Sequence, residues 1–281
     1  EDREARASLR VAPARGGMAT HFSVAGREIF FLDPTTFEDE TKNVRGGNPV
    51  LFPSPGKLEQ DRWARSGEAG PVSGQLKQHG FARTSPWSIF SLSTDGAASV
   101  SIVLRSSSET LREFPWEFEA TLRYRLLGPT LRIEQRVTSL SASGHGPMPF
   151  GFGFHPYFLV PDSLKSSASF ETKAKRGFDN TKKSDVDIGA IHFAVPELDL
   201  HLYEHGSNEA SLSWAGGEGI VVRAHPAYSH WVLWTLAGRD FVCVEPWTCP
   251  GNALNSGDRL IWLNEGESKE LWVEISPTQN P

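Results

Sequence analysis

The chain has 281 residues and two cysteines, so it is long enough to bury a large core without a disulfide framework. Its formal net charge of −6 leaves little positive surface to neutralise phosphates, which disfavours an extended nucleic-acid partner. No stretch reaches the roughly 20 apolar residues of a membrane-spanning helix, and the charged segment 1–10 does not resemble a signal-peptide core. We therefore expect no membrane partner and a cytoplasmic location. The sequence does not begin with Met, which leaves an upstream targeting segment open.

Short segments of alternating polar and apolar residues, separated by Gly, Pro, Ser and Asn, recur along most of the chain. This period of two predicts an all-β protein with a sandwich or barrel architecture. The clearest case is Ala120–Ser139, where two alternating runs flank Gly128 and Pro129 and predict a hairpin with one buried and one charged face. Further strands are predicted at Ser99–Arg105, Ser211–Trp214, Gly219–Ala224, Trp231–Leu236, Asp240–Glu245 and Glu270–Ile275.

Two polar stretches lack this alternation. Gly56–Gln78 contains glycines and many polar residues, and Ser163–Ile188 mixes Lys, Ser, Asp and Thr without a period. Both are predicted to be long surface loops. The sequence has no internal repeat at a fixed period and no linker-like tract. We therefore expect residues 1–281 to form a single domain.

Four segments combine titratable residues with aromatic residues, Gly and Pro, a composition typical of buried sites. They are Arg45–Pro53, Gln78–Arg83, Pro149–Phe158 and Val242–Thr248. Glu245 directly follows a run of four apolar residues, where a carboxylate pays a desolvation cost unless it is paired or functional. Cys243 lies within that run and is predicted to be a buried thiol without a disulfide partner.

No set of His, Cys and carboxylate residues has a convincing metal-ligand spacing. His201 and His205 are four residues apart, which would suit a metal only on a helix, and we favour a solvated loop there. His225 and His230 flank Pro226, in a turn leading into a strand. We therefore expect no metal.

Three of the motifs, HGFAR at His79–Arg83, GFHPYF at Gly153–Phe158 and EPW at Glu245–Trp247, resemble the aldose 1-epimerase (galactose mutarotase) family in order and spacing. The likeness extends over about residues 20–276. It includes RGGNPVLFP from Arg45, the Leu198-Asp199 pair and GNALNSG from Gly251.

The resemblance implies a large antiparallel β-sandwich, the galactose mutarotase-like supersandwich, with a small-molecule sugar in a cleft across one sheet and no cofactor. Residue by residue, it implies that Glu245 is the general base and His155 the general acid. It implies that His79 holds the ring oxygen or the anomeric region, and that Asp199 binds the sugar.

Two substrate classes fit this resemblance. Arg45, Gln78 and Arg83 resemble residues of the hexose 6-phosphate branch, in which arginines meet the phosphate. Where many family members carry an Asn-Arg pair, this chain has Gly56-Lys57, so one donor to the sugar is changed, and Lys57 is the candidate binding residue in its place. The EPW and GNALN segments favour a free hexose, which is the first choice, with a hexose 6-phosphate second.

Two other classes of function were weighed. Glycoside hydrolysis would need a second carboxylate opposite Glu245, for which Asp199 is the conceivable candidate. A non-catalytic carbohydrate-binding protein would not need His79, His155 and Glu245 together, so we favour an isomerase. The sequence does not indicate an oligomeric state.

Overall fold

The computed structural model describes residues 1–67, 70–141 and 144–279, and most of them lie in β-strands. The strands are β1 (Ala7–Ala12), β2 (Met18–Val24), β3 (Arg27–Glu28), β4 (Val50–Leu51), β5 (Arg62–Gly67), β6 (Gly70–Gln75), β7 (Ser88–Ser93), β8 (Ser99–Arg105), β9 (Phe118–Leu127), β10 (Thr130–Ser139), β11 (Met148–Phe150), β12 (Gly153–Phe154), β13 (Tyr157–Leu159), β14 (Ser169–Glu171), β15 (Arg176–Asp179), β16 (Ser184–Asp185), β17 (Glu197–Tyr203), β18 (Glu209–Trp214), β19 (Glu218–Ala224), β20 (His230–Leu236), β21 (Phe241–Trp247), β22 (Ile261–Leu263) and β23 (Ser268–Gln279). The helices are α1 (Pro34–Glu38), α2 (Thr110–Glu113) and α3 (Ala253–Ser256), with 3₁₀ turns at Glu59–Asp61, Asp162–Ser167 and Ile188–Ala190. Within the described ranges, none of the helices has the length and apolar character needed to cross a membrane.

Two large antiparallel sheets form the body of the fold. Sheet 1 has the strand order β14-β18-β19-β23-β10-β9-β8-β7. Sheet 2 has the order β16-β15-β17-β20-β21-β12-β4, and β13 also pairs with β21. One hydrophobic core contains Leu122 and Val273 from sheet 1 together with Leu200 and Val242 from sheet 2. The sheets therefore pack face to face, which confirms the predicted all-β sandwich.

The hairpin predicted between residues 120 and 139 is present as β9 and β10, which pair along their whole length. Gly128 occupies the turn with φ of +61°, a backbone conformation that costs glycine little. Leu122 and Ile133 on the inner face are fully buried. On the outer face, Arg125 donates to Glu134 at 3.1 Å. The alternation in the sequence thus corresponds to a core face and an ion-paired face.

The two stretches predicted as loops contain strands, and those predictions were wrong. Within 56–78, β5 and β6 form a hairpin in which Trp63 is buried against α2 through a hydrogen bond to the Glu113 carbonyl. Within 163–188, β14 pairs with β18, and β15 pairs with both β16 and β17. These strands are held mainly by backbone pairing and bury few apolar side chains, so a period-two pattern does not reveal them.

Strand β21 is buried along its whole length and positions the site. Val242 and Val244 point into the core between the sheets. Because side chains alternate along a strand, Cys243, Glu245 and Trp247 share the opposite face of sheet 2. That face is covered by the segments leading into β4 and following β6.

Candidate active site

The carboxylate of Glu245 lies in the middle of sheet 2 and is 1% exposed. The indole Nε1 of Trp247, two residues along the same strand face, donates a hydrogen bond to Glu245 Oε2 at 3.1 Å. This bond holds one carboxylate oxygen, and the other lies near His155. The buried carboxylate of Glu245 is therefore paired with two neighbours, as its desolvation cost requires.

His155 lies opposite Glu245 because of the strand register. Gly153 pairs with Trp247 and Tyr157 pairs with Cys243, so His155, midway between Gly153 and Tyr157, faces Glu245, midway between Cys243 and Trp247. His155 Nε2 is 3.4 Å from Glu245 Oε1. The imidazole stacks on the Tyr157 ring at 4.7 Å between centroids, with 9° between the planes. The buried Nδ1 atom has no hydrogen-bond partner among the described residues.

His79 reaches the same place from a tight turn after β6. Its backbone has φ of +73°, and Gly80 follows with φ of +70°. A Cβ on Gly80 would lie 2.2 Å from the Phe52 carbonyl oxygen, so the turn requires glycine there. The Nδ1–H of His79 donates to the carbonyl of Pro55, which leaves Nε2 as an acceptor. The ring meets that of His155 edge-on at 5.6 Å.

Burial controls the protonation of these three groups. It raises the pKa of Glu245 well above its ordinary value, and the negative charge of Asp199 adds to the effect. Burial lowers the pKa of His155 well below 6.5, with further contributions from His79 and Arg83. Burial also lowers the pKa of His79 to about 3. The arrangement is a strengthened carboxylate base beside two neutral imidazoles.

A cavity of about 380 Å³ opens in front of this group and has room for one pyranose. Seven of the eight site residues predicted from the sequence line it, namely Glu245, His155, His79, Asp199, Arg83, Arg45 and Gln78. The eighth, Lys57, lines an adjoining cavity of about 490 Å³. The two cavities share Gln78, Asp199, His201 and Trp247, so they form one continuous cleft.

Two guanidinium groups, those of Arg45 and Arg83, line the cavity. Arg83 is half-buried and Arg45 is exposed. Within residues 1–67, 70–141 and 144–279, neither forms a salt bridge. Burial lowers the pKa of Arg83, while Glu245 acts in the opposite direction. The cavity therefore presents positive charge that no described carboxylate neutralises at contact distance.

Carboxylates line the other side of the cavity, on β17. Asp199 Oδ1 accepts a hydrogen bond from Asn180 Nδ2 at 3.2 Å, and burial raises the pKa of this carboxyl group. Glu197, at the start of β17, also lines the cavity and accepts a bond from Trp234 Nε1 at 3.1 Å. In sheet 2, β17 lies two strands from β21 on the side away from β4. Asp199 and Glu197 thus lie on one side of Glu245, and the arginines lie on the other side.

His201 is a cavity residue that the sequence analysis assigned wrongly to a solvated loop. It lies in β17, its Nε2 is 3.6 Å from Asp199 Oδ1, and burial lowers its pKa to about 4. His205 lies beyond the end of β17 and does not line the cavity. The signal for a strand was present, because Leu198, Leu200 and Leu202 alternate with polar residues.

Across the described ranges, one group of donor atoms is close enough together to hold a metal ion. It consists of His155, Cys243 and Glu245, whose ligand atoms all lie within 4.8 Å of one another. Both cysteines are buried free thiols, which confirms the prediction of a buried thiol at Cys243. The group joins residues that are about 90 positions apart, so no spacing rule could reveal it.

Residues 19–276 match the sequence model of the aldose 1-epimerase family. The chain belongs to the aldose 1-epimerase family. The match covers the stretch over which the three motifs suggested this family, so the resemblance is confirmed. Membership supports an isomerase that acts on sugars.

Relatives of this aldose 1-epimerase family member carry different names. The "Putative glucose-6-phosphate 1-epimerase" of Cenchrus ciliaris is 33% identical over 261 residues, which span 82% of this chain and 72% of that protein. The plasmid-encoded "Protein LacX" of Lactococcus lactis subsp. lactis is 27% identical over 239 residues, which span 76% of this chain and 78% of that protein.

Solved structures support the fold of the family. The Slr1438 protein from Synechocystis sp. PCC 6803 is 36% identical, with a TM-score of 0.93 over 100% of this chain and 94% of that one. The galactose 1-epimerase from Lactobacillus acidophilus NCFM is 15% identical, with a TM-score of 0.78 over 100% of this chain and 93% of that one. At that identity the second comparison concerns the fold alone.

Proposed function

We propose that this chain interconverts the α and β anomers of a hexose 6-phosphate by acid–base opening and closure of the pyranose ring. One observation carries the proposal. A single cavity combines the buried pair His155 and Glu245 with Arg45 and Arg83, two cations that no described carboxylate neutralises. The first pair has the chemistry for ring opening, and the second pair has the chemistry for binding a phosphate.

Ring opening requires a base at the C1 hydroxyl group and an acid at the ring oxygen. Glu245 is the proposed base, because burial raises its pKa and so strengthens the carboxylate as a proton acceptor. His155 is the proposed acid, facing Glu245 at 3.4 Å. After rotation about C1–C2, the reverse transfers close the ring on the other face and restore both protonation states. Each positioned group contributes roughly 10²- to 10⁴-fold to the rate.

The charge of the substrate bears on the acid step. An imidazole protonates a ring oxygen only after it has taken up a proton itself, and burial beside Arg83 lowers the pKa of His155. A phosphate bound by the arginines offsets this positive charge and favours protonation of the imidazole. A phosphorylated sugar thus helps to supply the acid that opens its own ring.

His79 is proposed to orient the sugar. Because its Nδ1 donates to Pro55, its Nε2 accepts a hydrogen bond, and its pKa of about 3 keeps the ring neutral. A neutral acceptor suits a sugar hydroxyl group better than a ring oxygen, which cannot donate. The role of His79 is therefore narrower than the sequence resemblance implied.

Arg45 and Arg83 are proposed to bind the 6-phosphate. A guanidinium forms paired, charge-assisted hydrogen bonds to phosphate oxygens. The name of the relative from Cenchrus ciliaris points to the same substrate class. The sequence alone favoured a free hexose, with a hexose 6-phosphate second, but the two guanidinium groups without a salt bridge among the described residues favour the phosphate.

A free hexose is the second candidate, and a specific observation favours it. Asp199 and Glu197 line the same cavity, and carboxylates bind sugar hydroxyl groups but repel phosphate. The EPW and GNALN segments also supported this candidate in the sequence. A carbohydrate-binding protein without activity remains the alternative of another class, and it would leave the buried pair of Glu245 and His155 without a use.

The test compares glucose with glucose 6-phosphate by NMR measurement of anomer exchange at low ionic strength. Each charge-assisted hydrogen bond contributes about 1.5–3 kcal/mol, and about 1.4 kcal/mol corresponds to tenfold. We expect kcat/KM to be about a hundredfold or more higher for the phosphate. Arg83→Ala should reduce the ratio of kcat/KM for glucose 6-phosphate to that for glucose at least tenfold. The rate of anomer exchange of glucose should change less than threefold.

Arg105→Ala is the matched control, because Arg105 is an exposed arginine that pairs with Glu119 at 2.6 Å and does not line the cavity. It removes the same charge and should leave both substrates unaffected. Equal rates for the two sugars, unchanged in Arg83→Ala, would establish the free hexose instead. Binding of sugar without exchange of either would support the carbohydrate-binding alternative.

A further inference from the structure

Three different metal-ligand donors lie together at this site, and two of them, His155 and Glu245, line the cavity. Cys243 and Glu245 are alternate residues on one face of β21, and His155 lies across from them on the neighbouring segment. Their donor atoms all lie within 4.8 Å of one another. All three residues are buried, with a solvent-exposed fraction of 0% for Cys243, 1% for Glu245 and 8% for His155. Cys243 and Glu245 stand on β21, and His155 lies in the two-residue connection between β12 and β13, both of which pair with β21.

We propose that His155, Cys243 and Glu245 form an inhibitory site for a soft divalent cation such as Zn²⁺. Imidazole, thiolate and carboxylate are the three donor types that zinc takes in proteins, whereas Mg²⁺ and Ca²⁺ take oxygen alone. A thiolate and a carboxylate also balance the charge of the dication. A water molecule in the cavity completes four-fold coordination.

The distances fit after small movements. Tetrahedral zinc with bonds of about 2.0–2.3 Å holds its donors about 3.5 Å apart. His155 Nε2 and Glu245 Oε1 already lie 3.4 Å apart, and no separation in the group exceeds 4.8 Å, so none must shorten by more than about 1.3 Å. Side-chain rotation about Cys243 and Glu245 supplies movements of this size.

Two features of the surroundings set the strength of the site. His155 Nδ1 is buried without a hydrogen-bond partner among the described residues, so the ring proton can sit on Nδ1 without breaking a hydrogen bond, and the lone pair of Nε2 is then left for the metal. Arg83 lines the same cavity and repels a cation. Phosphate bound at Arg83 and zinc bound at Glu245 would compete for one space.

Zinc in this position removes both proton-transfer groups at once. The proposed base becomes a ligand, the proposed acid loses the lone pair that carries its proton, and the metal occupies the place of C1. Inhibition should therefore be competitive with the sugar. The inhibition rests on the proposed function, whereas the binding of metal does not.

The binding is tested with Co²⁺, which replaces zinc and gives a near-ultraviolet charge-transfer band when a thiolate is a ligand. We expect the band in the wild-type protein and its absence in Cys243→Ala and Cys243→Ser. Cys249→Ala is the matched control, because Cys249 is also a fully buried free thiol but lies outside the group. It should keep the band. Two replacements at position 243 guard against one variant that fails to fold, which circular dichroism would reveal.

The inhibition is tested with Zn²⁺ in the anomer-exchange assay. Zinc should raise the apparent KM in the wild type and in Cys249→Ala. It should act at least tenfold more weakly on Cys243→Ala, since loss of an outer-shell partner alone costs about 10- to 100-fold in affinity. Without zinc, Cys243→Ala should keep the wild-type rate.

The outcomes separate the two proposals. A thiolate band that depends on Cys243, in a protein that exchanges no sugar, supports the metal site and refutes the proposed function. Normal exchange with no thiolate band at saturating Co²⁺ overturns the metal site and leaves the proposed function standing. Equal zinc inhibition of wild type and Cys243→Ala also overturns the site.

Discussion

Replacing Glu245 by Gln should abolish activity and at the same time stabilise the fold. The amide keeps the shape of the carboxylate, and its oxygen can still accept the hydrogen bond that Trp247 Nε1 donates at 3.1 Å. What is lost is the negative charge. We expect anomer exchange to fall by roughly 10²- to 10⁴-fold, the usual contribution of a positioned general base.

The stability effect follows from the raised pKa of Glu245. A group whose pKa is higher in the folded state than in the unfolded chain stabilises the fold fully below the unfolded value of about 4.5, and that stability is lost as the pH rises toward the folded value. At neutral pH the wild type therefore carries a cost that Glu245→Gln does not. Each unit by which burial raises the pKa of Glu245 corresponds to about 1.4 kcal/mol of this cost, so the measured gain in the free energy of unfolding reports the size of the shift. The melting temperature should rise by about 2–4 °C for each kcal/mol.

The assay pairs NMR anomer exchange with thermal unfolding at pH 5, 6 and 7.5. The stability gain of Glu245→Gln over wild type should grow across this range. Glu134→Gln is a control, because Glu134 is half-buried on the outer face of sheet 1 in an ion pair with Arg125. It should cost a little stability at every pH and leave exchange unchanged. Near wild-type exchange in Glu245→Gln, or a gain in stability that shrinks as the pH rises, would refute the reasoning.

Three further predictions concern the turn, the buried histidines and metal removal. Gly80→Ala forces a Cβ toward the Phe52 carbonyl in a left-handed backbone, so denaturant unfolding should show a free energy of unfolding lower by about 2–4 kcal/mol. A loss below about 1 kcal/mol would show that the turn relaxes freely. Burial lowers the pKa of His201 to about 4 and of His230 to about 3, so stability should fall as the pH drops below 6.5, by about 2 kcal/mol per histidine at pH 5. His230→Asn should flatten this dependence, and an unchanged slope would contradict it. Prolonged EDTA treatment should not lower the rate of anomer exchange, whereas a loss restored by one divalent ion would show that a metal is required.

The sequence was sufficient for the fold class and for most of the cleft. The hairpin of β9 and β10 was predictable because one face enters the core and the other is charged, so hydrophobicity alternates strictly. The strands within 56–78 and 163–188 were missed, since backbone pairing holds them and few of their side chains are buried. His201 was missed for a different reason. The segment of His201 and His205 was predicted to be a solvated loop rather than a metal-binding helix, although the alternating leucines around His201 indicate a strand.

The relations that matter most to the site are relations across strands. Sequence motifs identified His155 and Glu245, but only the register of Gly153 and Tyr157 on β21 puts the two side chains face to face. Cys243 was correctly predicted to be buried, yet its closeness to His155 depends on the same pairing. Likewise, the sequence does not show that Arg83 forms no salt bridge with the described carboxylates. This observation is what favours a hexose 6-phosphate over a free hexose.

Strand β21 is enclosed on both faces and hydrogen-bonded on both edges, whereas Arg45, Gln78 and Lys57 stand on connecting segments. Amide protons of β21 should exchange with solvent only when the whole molecule opens, while those of the connecting segments exchange by local motion. Selectivity and reactivity can therefore change independently over evolution. Grafting the segments that carry Arg45 and Gln78 from a relative with another sugar preference should transfer that preference and leave the proposed proton-transfer pair, His155 and Glu245, intact.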